Sequence, residues 1–573
     1  MDVKHVKVTG FRGIASLEWT VGGTAIGLVG PGDSTKTTIL DAIEYGLFPR
    51  WNLPVSDSDF FGGQATSPIM IEITVGNCPS GLLKDEKYGL QARGWRNGGI
   101  VDEPDDDCEL VLTIRLTIQT DLEPSWVVVT DRHPEGFTIT SRDRARFGVV
   151  RLGAEVHRDL AWGKGSALSR MTGAVDVDSV LAEAYRVARA AVAQTQLPSL
   201  VDAAEAATRH ARQFGVQPAN GYTPALDSAA ISVTAGALSL HDGYVPVRGA
   251  GLGTRRLVAL AIQKAIVPDG AILLIDEVEH GLEPHRIRRL LRHLRGTMPG
   301  GDEQTDHHRH GQVIMTTHSP IVVQELDTDE VRVVRSENGV TRTFTPSADL
   351  QGVLRSVPDA LLGRRVVVCE GPTEVGLCWG MEDHWKGLHS GESIACHGVV
   401  FVDGGGSHAP ARAQSLARLG YEVCYFADSD REVNPTVSEL LQTGVDVIRW
   451  DGAMSTEQRV FFDLPWELLQ QALDLAVELN GSESVLASVA NRLGLKSTLA
   501  SPEISSWRDA STTEHRIREA LGLASKGKKD RPAWYKRYDR AELLAKIVVK
   551  ALPTVRNTDL CRKLQSLEDW CYA

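Results

Sequence analysis

The chain opens on an alternation of apolar and polar positions, "MDVKHVKVTGFRGI", which predicts an edge-type β-strand. A buried strand, "TAIGLVG", follows, and a glycine-rich turn then leads into an apolar helix, "TTILDAIEYGLF". Between residues 76 and 175, alternating runs such as "LVLTIRLTI" and "SWVVVTD" predict further strands separated by turn-rich segments. The period changes at about 176–215, an alanine-rich helical stretch broken at Pro198. From about 225 to 345, glycine-rich turns alternate with strongly apolar runs. A new α/β pattern starts near Arg364, after the polar stretch "ENGVTRTFTPSADLQGV", so a domain boundary is expected near 345–362. No internal repeat or long low-complexity tract interrupts this order.

At 573 residues the chain is about three times a typical domain, which implies two or three domains. Hydrophobic residues at 42% and charged residues at 24% supply ordinary globular cores. No run approaches the roughly 20 apolar residues of a membrane span, and the N-terminus has no signal-peptide core. The cytoplasm is the expected compartment, with no membrane partner. Eight cysteines occur without CxxC pairs, several inside strand-like runs (Cys369, Cys424), and are read as buried free thiols. A net charge of −13 excludes a generally basic nucleic-acid coat protein. It leaves three local basic stretches, 142–151, 285–295 and 525–537, each read first as a solvated face and second as a DNA contact.

The segment "GLVGPGDSTKTTIL" (27–40) follows the phosphate-loop pattern, with Gly30, Lys36 and Thr37 in place and Thr35 where a glycine is standard. Such a loop surrounds phosphates with backbone N–H groups at a helix N-terminus, while its lysine balances charge and the next hydroxyl holds Mg²⁺. Gly30 and Gly32 are expected to permit the tight turn, and Asp33, Ser34, Thr35, Lys36, Thr37 and Thr38 to bind nucleotide. A β-branched residue is disfavoured at positive φ, so either the loop takes a different path or nucleotide binding is weakened. Further on, "GAILLIDEVEHGLEP" is an apolar strand ending in Asp276 and Glu277, suited to supporting Mg²⁺ and activating water. "VIMTTHSP" ends a second apolar strand at His318, where a γ-phosphate sensor would sit. "RGAGLGTRRLVALAI" (248–262) is a glycine-rich turn opening a helix, in the place of an ABC-type signature segment.

The second half carries its own acids. "GRRVVVCEGPTEVGL" is a buried strand ending in Glu370, with Glu374 at a helix start, and "YEVCYFADSDRE" ends a second in Asp428 and Asp430. A strand period of two puts those aspartates on one side, and parallel sheets gather functional groups at the carboxyl ends of their strands. Four converging carboxylates call for cations, and hard oxygen ligands favour Mg²⁺ or Mn²⁺. Two such ions can clamp the attacking and leaving oxygens in phosphodiester cleavage. Capping acids beside a solvated turn are the plainer alternative. "FVDGGGSHAP" (401–410) reads as a tight turn, with Gly404–Gly406 structural and Ser407 a phosphate-contact candidate. "DEQTDHHRH" (302–310) invites a zinc assignment, but a surface loop is preferred.

The first half resembles the ABC-type ATPase heads of the SMC, RecF and Rad50 class, an α/β fold. Its "VTGFRGIASLEW" is similar to that class's opening strand and turn, and Gln64 of "DFFGGQ" competes between metal sensor and plain loop residue. In such heads one protomer's signature segment completes the ATP site of another, which implies a homodimer or higher oligomer. The E-x-x-x-E … D-x-D pattern resembles a TOPRIM α/β domain. The two together are similar to the OLD (overcoming lysogenization defect) family, which includes the nuclease subunit of Gabija phage defence. This implies an ATPase domain over 1–350 with a helical insertion at about 160–225, a candidate dimerisation arm. It implies a TOPRIM nuclease domain with a C-terminal helical region over 360–573. It also implies an ATP-regulated DNA endonuclease, with metal on Glu370, Glu374, Asp428, Asp430 and a further acid, for which Glu457 is preferred over Asp451 and Asp463. A late lysine would stabilise the scissile phosphate, Lys536 ahead of Lys529. A separate helicase or effector protein is a conceivable partner. The competing readings are an SMC-like DNA-binding repair factor, and a scaffold ATPase that senses phage and controls a separate effector.

Overall fold

In the computed structural model the first alternating runs pair as a hairpin, β1 (Asp2–Phe11) with β2 (Ile14–Thr20), whose inward positions are all buried. The structure describes the whole chain except residues 154–155, 164, 173–176, 195–197, 215, 217, 225–237, 268–269, 297–310, 496, 498, 509–511 and 528–531. β3 (Ala25–Val29) is buried at every position and runs through the phosphate loop into α1 (Lys36–Gly46). β4 (Ile69–Gly76) and β5 (Glu109–Ile118) extend the antiparallel wing beyond β1. β6 (Val149–Leu152) follows, then the amphipathic helices α2 (Val177–Gln194) and α3 (Pro198–Gln213), the latter starting at the proline. Next come α4 (Leu252–Ala265), β7 (Ile272–Ile275), β8 (Gln312–Thr316), β9 (Val331–Glu337) and β10 (Val340–Phe344).

All of these strands belong to one large sheet, ordered β6-β7-β8-β3-β9-β10-β2-β1-β4-β5 along its main path. The run β6-β7-β8-β3-β9 is parallel, which fits strands that are apolar on both faces rather than alternating. Its register places Ile275 beside Met315 and Thr316 beside Leu28. Asp276, the residues after Thr316 and the phosphate loop therefore leave the sheet along one edge.

The second sheet has four parallel strands in the order β12-β11-β13-β14. They are β11 (Arg365–Cys369), β12 (Val399–Asp403), β13 (Glu422–Ala427) and β14 (Val445–Arg449). Between them run α5 (Pro372–Leu388), after β11, and α6 (Ala409–Arg418), after β12. α7 (Thr456–Asp463) and α8 (Tyr538–Ala551) pack from the C-terminal side. α5 and α8 touch closely because Gly376 and Gly380 lack side chains. A Cβ on Gly376 would lie 2.3 Å from the carbonyl oxygen of Tyr538, and one on Gly380 2.4 Å from Cβ of Ala545. One apolar cluster joins the two sheets without a break. It runs from Val29, Val331 and Val333 through Leu354 and Leu361 to Val366, Val402 and Tyr425.

The eight cysteines are free thiols, and burial pushes those of Cys369 and Cys424 well above the ordinary range. No helix among the described residues is long and apolar enough to cross a membrane.

Candidate active sites

The phosphate loop keeps a left-handed turn at the substituted position: Thr35 has φ 65° and ψ 15° and stands immediately before α1. Asp33 is left-handed as well, at φ 58°. Gly30 is needed sterically, since its φ is 151° and a Cβ would lie 2.6 Å from the carbonyl oxygen of Val334. Gly32 is not, because a Cβ there meets open space, which corrects the expectation that both glycines permit the turn. The Thr35 hydroxyl donates to the Ser34 carbonyl at 2.6 Å and lies 3.0 Å from the hydroxyl of Thr341, offsetting part of the backbone strain. Lys36 folds into the loop it serves. Its Nζ donates to the carbonyls of Gly30 (3.0 Å) and Pro31 (2.7 Å) and to Ser34 Oγ (3.0 Å). Burial pushes this ammonium down to about 8, against the pull of Asp276 and its acidic neighbours. Thr38 lies partly buried in the first turn of α1.

Asp276 is the hub of the acidic edge. Its Oδ1 accepts from Thr37 Oγ1 at 3.1 Å and from Thr316 Oγ1 at 2.5 Å, and its Oδ2 pairs with Arg151 at 3.1 Å. Arg256 of α4 donates to the carbonyls of Asp276 (2.6 Å) and Glu277 (2.7 Å), tying the signature-like helix to this strand end. Glu277 is left-handed, at φ 44°, and its exposed carboxylate lies 3.4 Å from His280 Nδ1. Glu279 accepts from Thr317 Oγ1 and from the His318 backbone N–H, both at 2.7 Å, and so fixes the histidine turn. Burial, then the nearby Lys36 ammonium, lowers the His318 pKa and favours the neutral ring. The N-terminus of α4 is open: a Cβ at Gly249 or Gly251 would meet nothing, and Leu252 is exposed.

In the second sheet the register pairs Cys369 with Phe426, so Glu370 and Asp428 leave neighbouring strands almost side by side. The Asp428 backbone N–H donates to Glu370 Oε2 at 3.1 Å. Glu374, in the first turn of α5, accepts from the Gly371 N–H at 2.9 Å, and Glu457 accepts from Thr373 Oγ1 at 3.0 Å. Thr456 supplies both its N–H (2.7 Å) and its hydroxyl (2.9 Å) to Asp428 Oδ1. Burial raises the pKa of all four carboxyls, and Asp428 reinforces the rise at Glu370, Glu374 and Glu457. Lys536 opposes it at Glu370 and Asp428, so its charge faces this edge. Asp430 stands apart from the other acids in forming an ion pair with Lys526.

Carboxylates gathered at one sheet edge, Glu374 and Glu457 buried and Glu370 and Asp428 half-buried, form a hard-oxygen donor set of the kind Mg²⁺ or Mn²⁺ takes. Among the described residues, no three acids, histidines or cysteines are already drawn into a metal-holding group. Glu370, Glu374, Asp428 and Glu457 have the chemistry for the ion, and each accepts a hydrogen bond from within the protein.

The other sequence candidates fall elsewhere. Asp463 is buried against Arg459 and the Leu560 N–H, while Asp451 pairs with Lys563 and Arg562. Gln64 is exposed on a loop, and Ser407 is exposed in the short 3₁₀ turn Gly406–His408. Lys529 and the histidine-rich stretch 302–310 lie outside the described residues. The basic stretch 142–151 is in part structural rather than solvated: buried Arg144 stacks 4.0 Å over Trp126 and donates to three backbone carbonyls, and Arg151 serves Asp276. Sequence reasoning missed Arg151, Arg256, Glu279, Thr316, Thr456 and Lys526. All six stood in or beside stretches already singled out, Glu279 and Arg256 within the two ATPase motifs, Thr316 just ahead of "THSP", Thr456 beside Glu457, and Arg151 and Lys526 in basic stretches, but nothing in the pattern named their partners.

A family model described as "AAA domain, putative AbiEii toxin, Type IV TA system" matches residues 183–324. The match covers α4, the Asp276 edge and His318, and stops short of the phosphate loop. The chain thus carries an AAA-type ATPase domain, AbiEii-like in the matched part. Among solved structures it is similar to an Smc head bound to the C-terminal winged-helix domain of ScpA. There the identity is 15%, the TM-score 0.33, and the coverage 61% of this chain and 99% of that one. It is also similar to the Pyrococcus furiosus Smc head with an extended coiled coil, bound to the C-terminal domain of ScpA. That likeness has 14% identity, a TM-score of 0.34, and covers 61% and 96% of the two chains. Among curated proteins, none matches the sequence.

Proposed function

We propose that this chain is an ATP-regulated, divalent-metal-dependent DNA endonuclease of the OLD type, acting in anti-phage defence or DNA processing. The observation that carries the reading is the placing of Glu370, Glu374, Asp428 and Glu457, with Lys536 facing them, at the carboxyl edge of a four-stranded parallel sheet. Bound there, Mg²⁺ or Mn²⁺ would supply an activated water and neutralise charge on the leaving oxygen. Glu370 and Asp428 would hold the ion, and Glu374 and Glu457 would fix its surroundings. Lys536 would meet the scissile phosphate. The ATPase half would bind and hydrolyse ATP in this reading: Lys36 and Thr37 would hold the phosphates and Mg²⁺, Asp276 would support the metal, Glu277 would activate water and His318 would sense the γ-phosphate. The open N-terminus of α4 supports a dimer in which each copy completes the other's nucleotide site.

The test is supercoiled plasmid with Mg²⁺ or Mn²⁺, with and without ATP, beside a Glu370→Ala/Asp428→Ala variant. Nicking or cutting by the intact chain alone supports the nuclease, and the ATP lanes give the sign of regulation. An intact plasmid in every lane overturns it. A second reading, an SMC- or RecF-like DNA-binding factor or a scaffold ATPase controlling another effector, draws on the Lys526–Asp430 ion pair, which withdraws one acid from the cluster.

A further inference from the structure

We propose that Trp379 and Tyr538 form a stacking platform for unpaired nucleobases, so that the strand engaged at the carboxylate edge is single-stranded, frayed or flipped out at that point. The proposal rests on the nuclease reading only for where the cut phosphate lies. Trp379 on α5 is 45% exposed and Tyr538, the first residue of α8, is 39% exposed. Their ring centroids are 5.3 Å apart with planes inclined at 37°. Neither ring is needed to join the helices, because Met381, Trp385, Leu544, Ala545 and Val548 provide the buried contact.

The pair is indexed to the candidate site on two sides. The Tyr538 hydroxyl donates to Asp403 Oδ2 at 2.8 Å, at the end of β12. The turn after Asp403 is itself pinned to β11, Gly404 N–H to the Cys369 carbonyl at 2.8 Å and Gly406 N–H to the Glu370 carbonyl at 2.7 Å. On the other side, Lys536 precedes Tyr538 by two residues, so their backbones are at most about 7 Å apart. A phosphate at Lys536 thus leaves the next base within reach of the rings. Arg412, whose Nη1 is 3.5 Å from the Asp403 carbonyl, adds a cation beside the same turn. Exposed aromatic faces next to cations are how proteins hold single strands without reading sequence, whereas the bases of an intact duplex are already stacked on one another.

The experiment measures anisotropy of labelled oligothymidylate of about 20 nucleotides and of a duplex of equal length, in EDTA so that no cutting is required. The intact protein is compared with Trp379→Ala and with Tyr538→Phe, which keeps the ring but loses the Asp403 bond. Trp379→Ala is expected to weaken single-strand binding about tenfold, with duplex binding changed less than about twofold and Tyr538→Phe intermediate. An unchanged melting temperature excludes misfolding as the cause. Equal loss on both probes, no loss on either, or no single-strand binding by the intact protein would overturn the platform. A plasmid left whole in the cleavage assay, with the single-strand effect intact, would sink the nuclease and leave the platform standing.

Discussion

Thr35 shows how a single residue can be both strained and held. A left-handed β-branched residue costs about 1–2 kcal/mol, yet glycine there would add about 0.5–1 kcal/mol of unfolded-chain entropy and remove the Thr341 contact. The effects nearly cancel, so Thr35→Gly is expected to leave stability within about 1 kcal/mol of the original in urea unfolding. Thr35→Val keeps the strain and loses the hydroxyl's bonds, and should cost about 1–2 kcal/mol. Equal effects of the two changes would contradict this account. Lys36 gives a pH dependence of definite sign. Its folded pKa of about 8 lies below the ordinary 10.5, so its burial penalty is full below pH 8 and is relieved as pH rises towards 10.5. Phosphate binding needs the charged form. ATP affinity should therefore fall as pH rises through about 8, with a flat profile for Lys36→Met, read by titration with a fluorescent nucleotide.

Pairs of elements set the next scale. Gly376 lets α8 press on α5, and Gly376→Ala drives a methyl against backbone, which cannot swing aside as a side chain could. Overpacking of this kind costs about 1–3 kcal/mol. It should also displace Tyr538 and Lys536, lowering plasmid cutting as well as the melting temperature. A change in neither would mean that the contact is looser than its geometry. The carboxyl edge makes a separate prediction. Raised carboxyl pKa values mean that the folded state holds protons more tightly, so its stability falls as pH rises from about 4 through the raised values. At pH 7.5, Glu457→Gln should raise the metal-free melting temperature. Mn²⁺ should raise that of the intact protein, EDTA should reverse the gain, and both effects should shrink at pH 5. A variant that melts lower at pH 7.5 would refute this.

How far these edges were legible in sequence depends on what made them. Strands buried on both faces are written as unbroken apolar runs, so an acid directly after one, such as Asp276, Glu370 or Asp428, marks the strand's end by pattern alone. The partners are not written this way. Lys526 meets Asp430 across 96 residues, and Arg151 meets Asp276 across 125, so only the folded chain brings them together. Nor could spacing reveal that Arg144 is buried or that Gly32 stands in open space, since both depend on what packs beside them.

At the scale of the molecule, the proposed function gives the two sheets different inputs: nucleotide at one edge, metal at the other. If the exposed start of α4 is a dimer face, Gly249→Glu should leave ATP binding by the monomer unchanged and abolish ATP-dependent dimerisation in light scattering. Dimers of the variant at the original strength would place the interface elsewhere. The apolar cluster that passes from Val29 to Val366 and Tyr425 means that a cut between the two sheets would expose core residues on both sides. Each half expressed alone would present the other's missing core to water and would aggregate. The ATPase and the acid edge are therefore inherited, expressed and degraded together, and a lesion that unfolds one silences both.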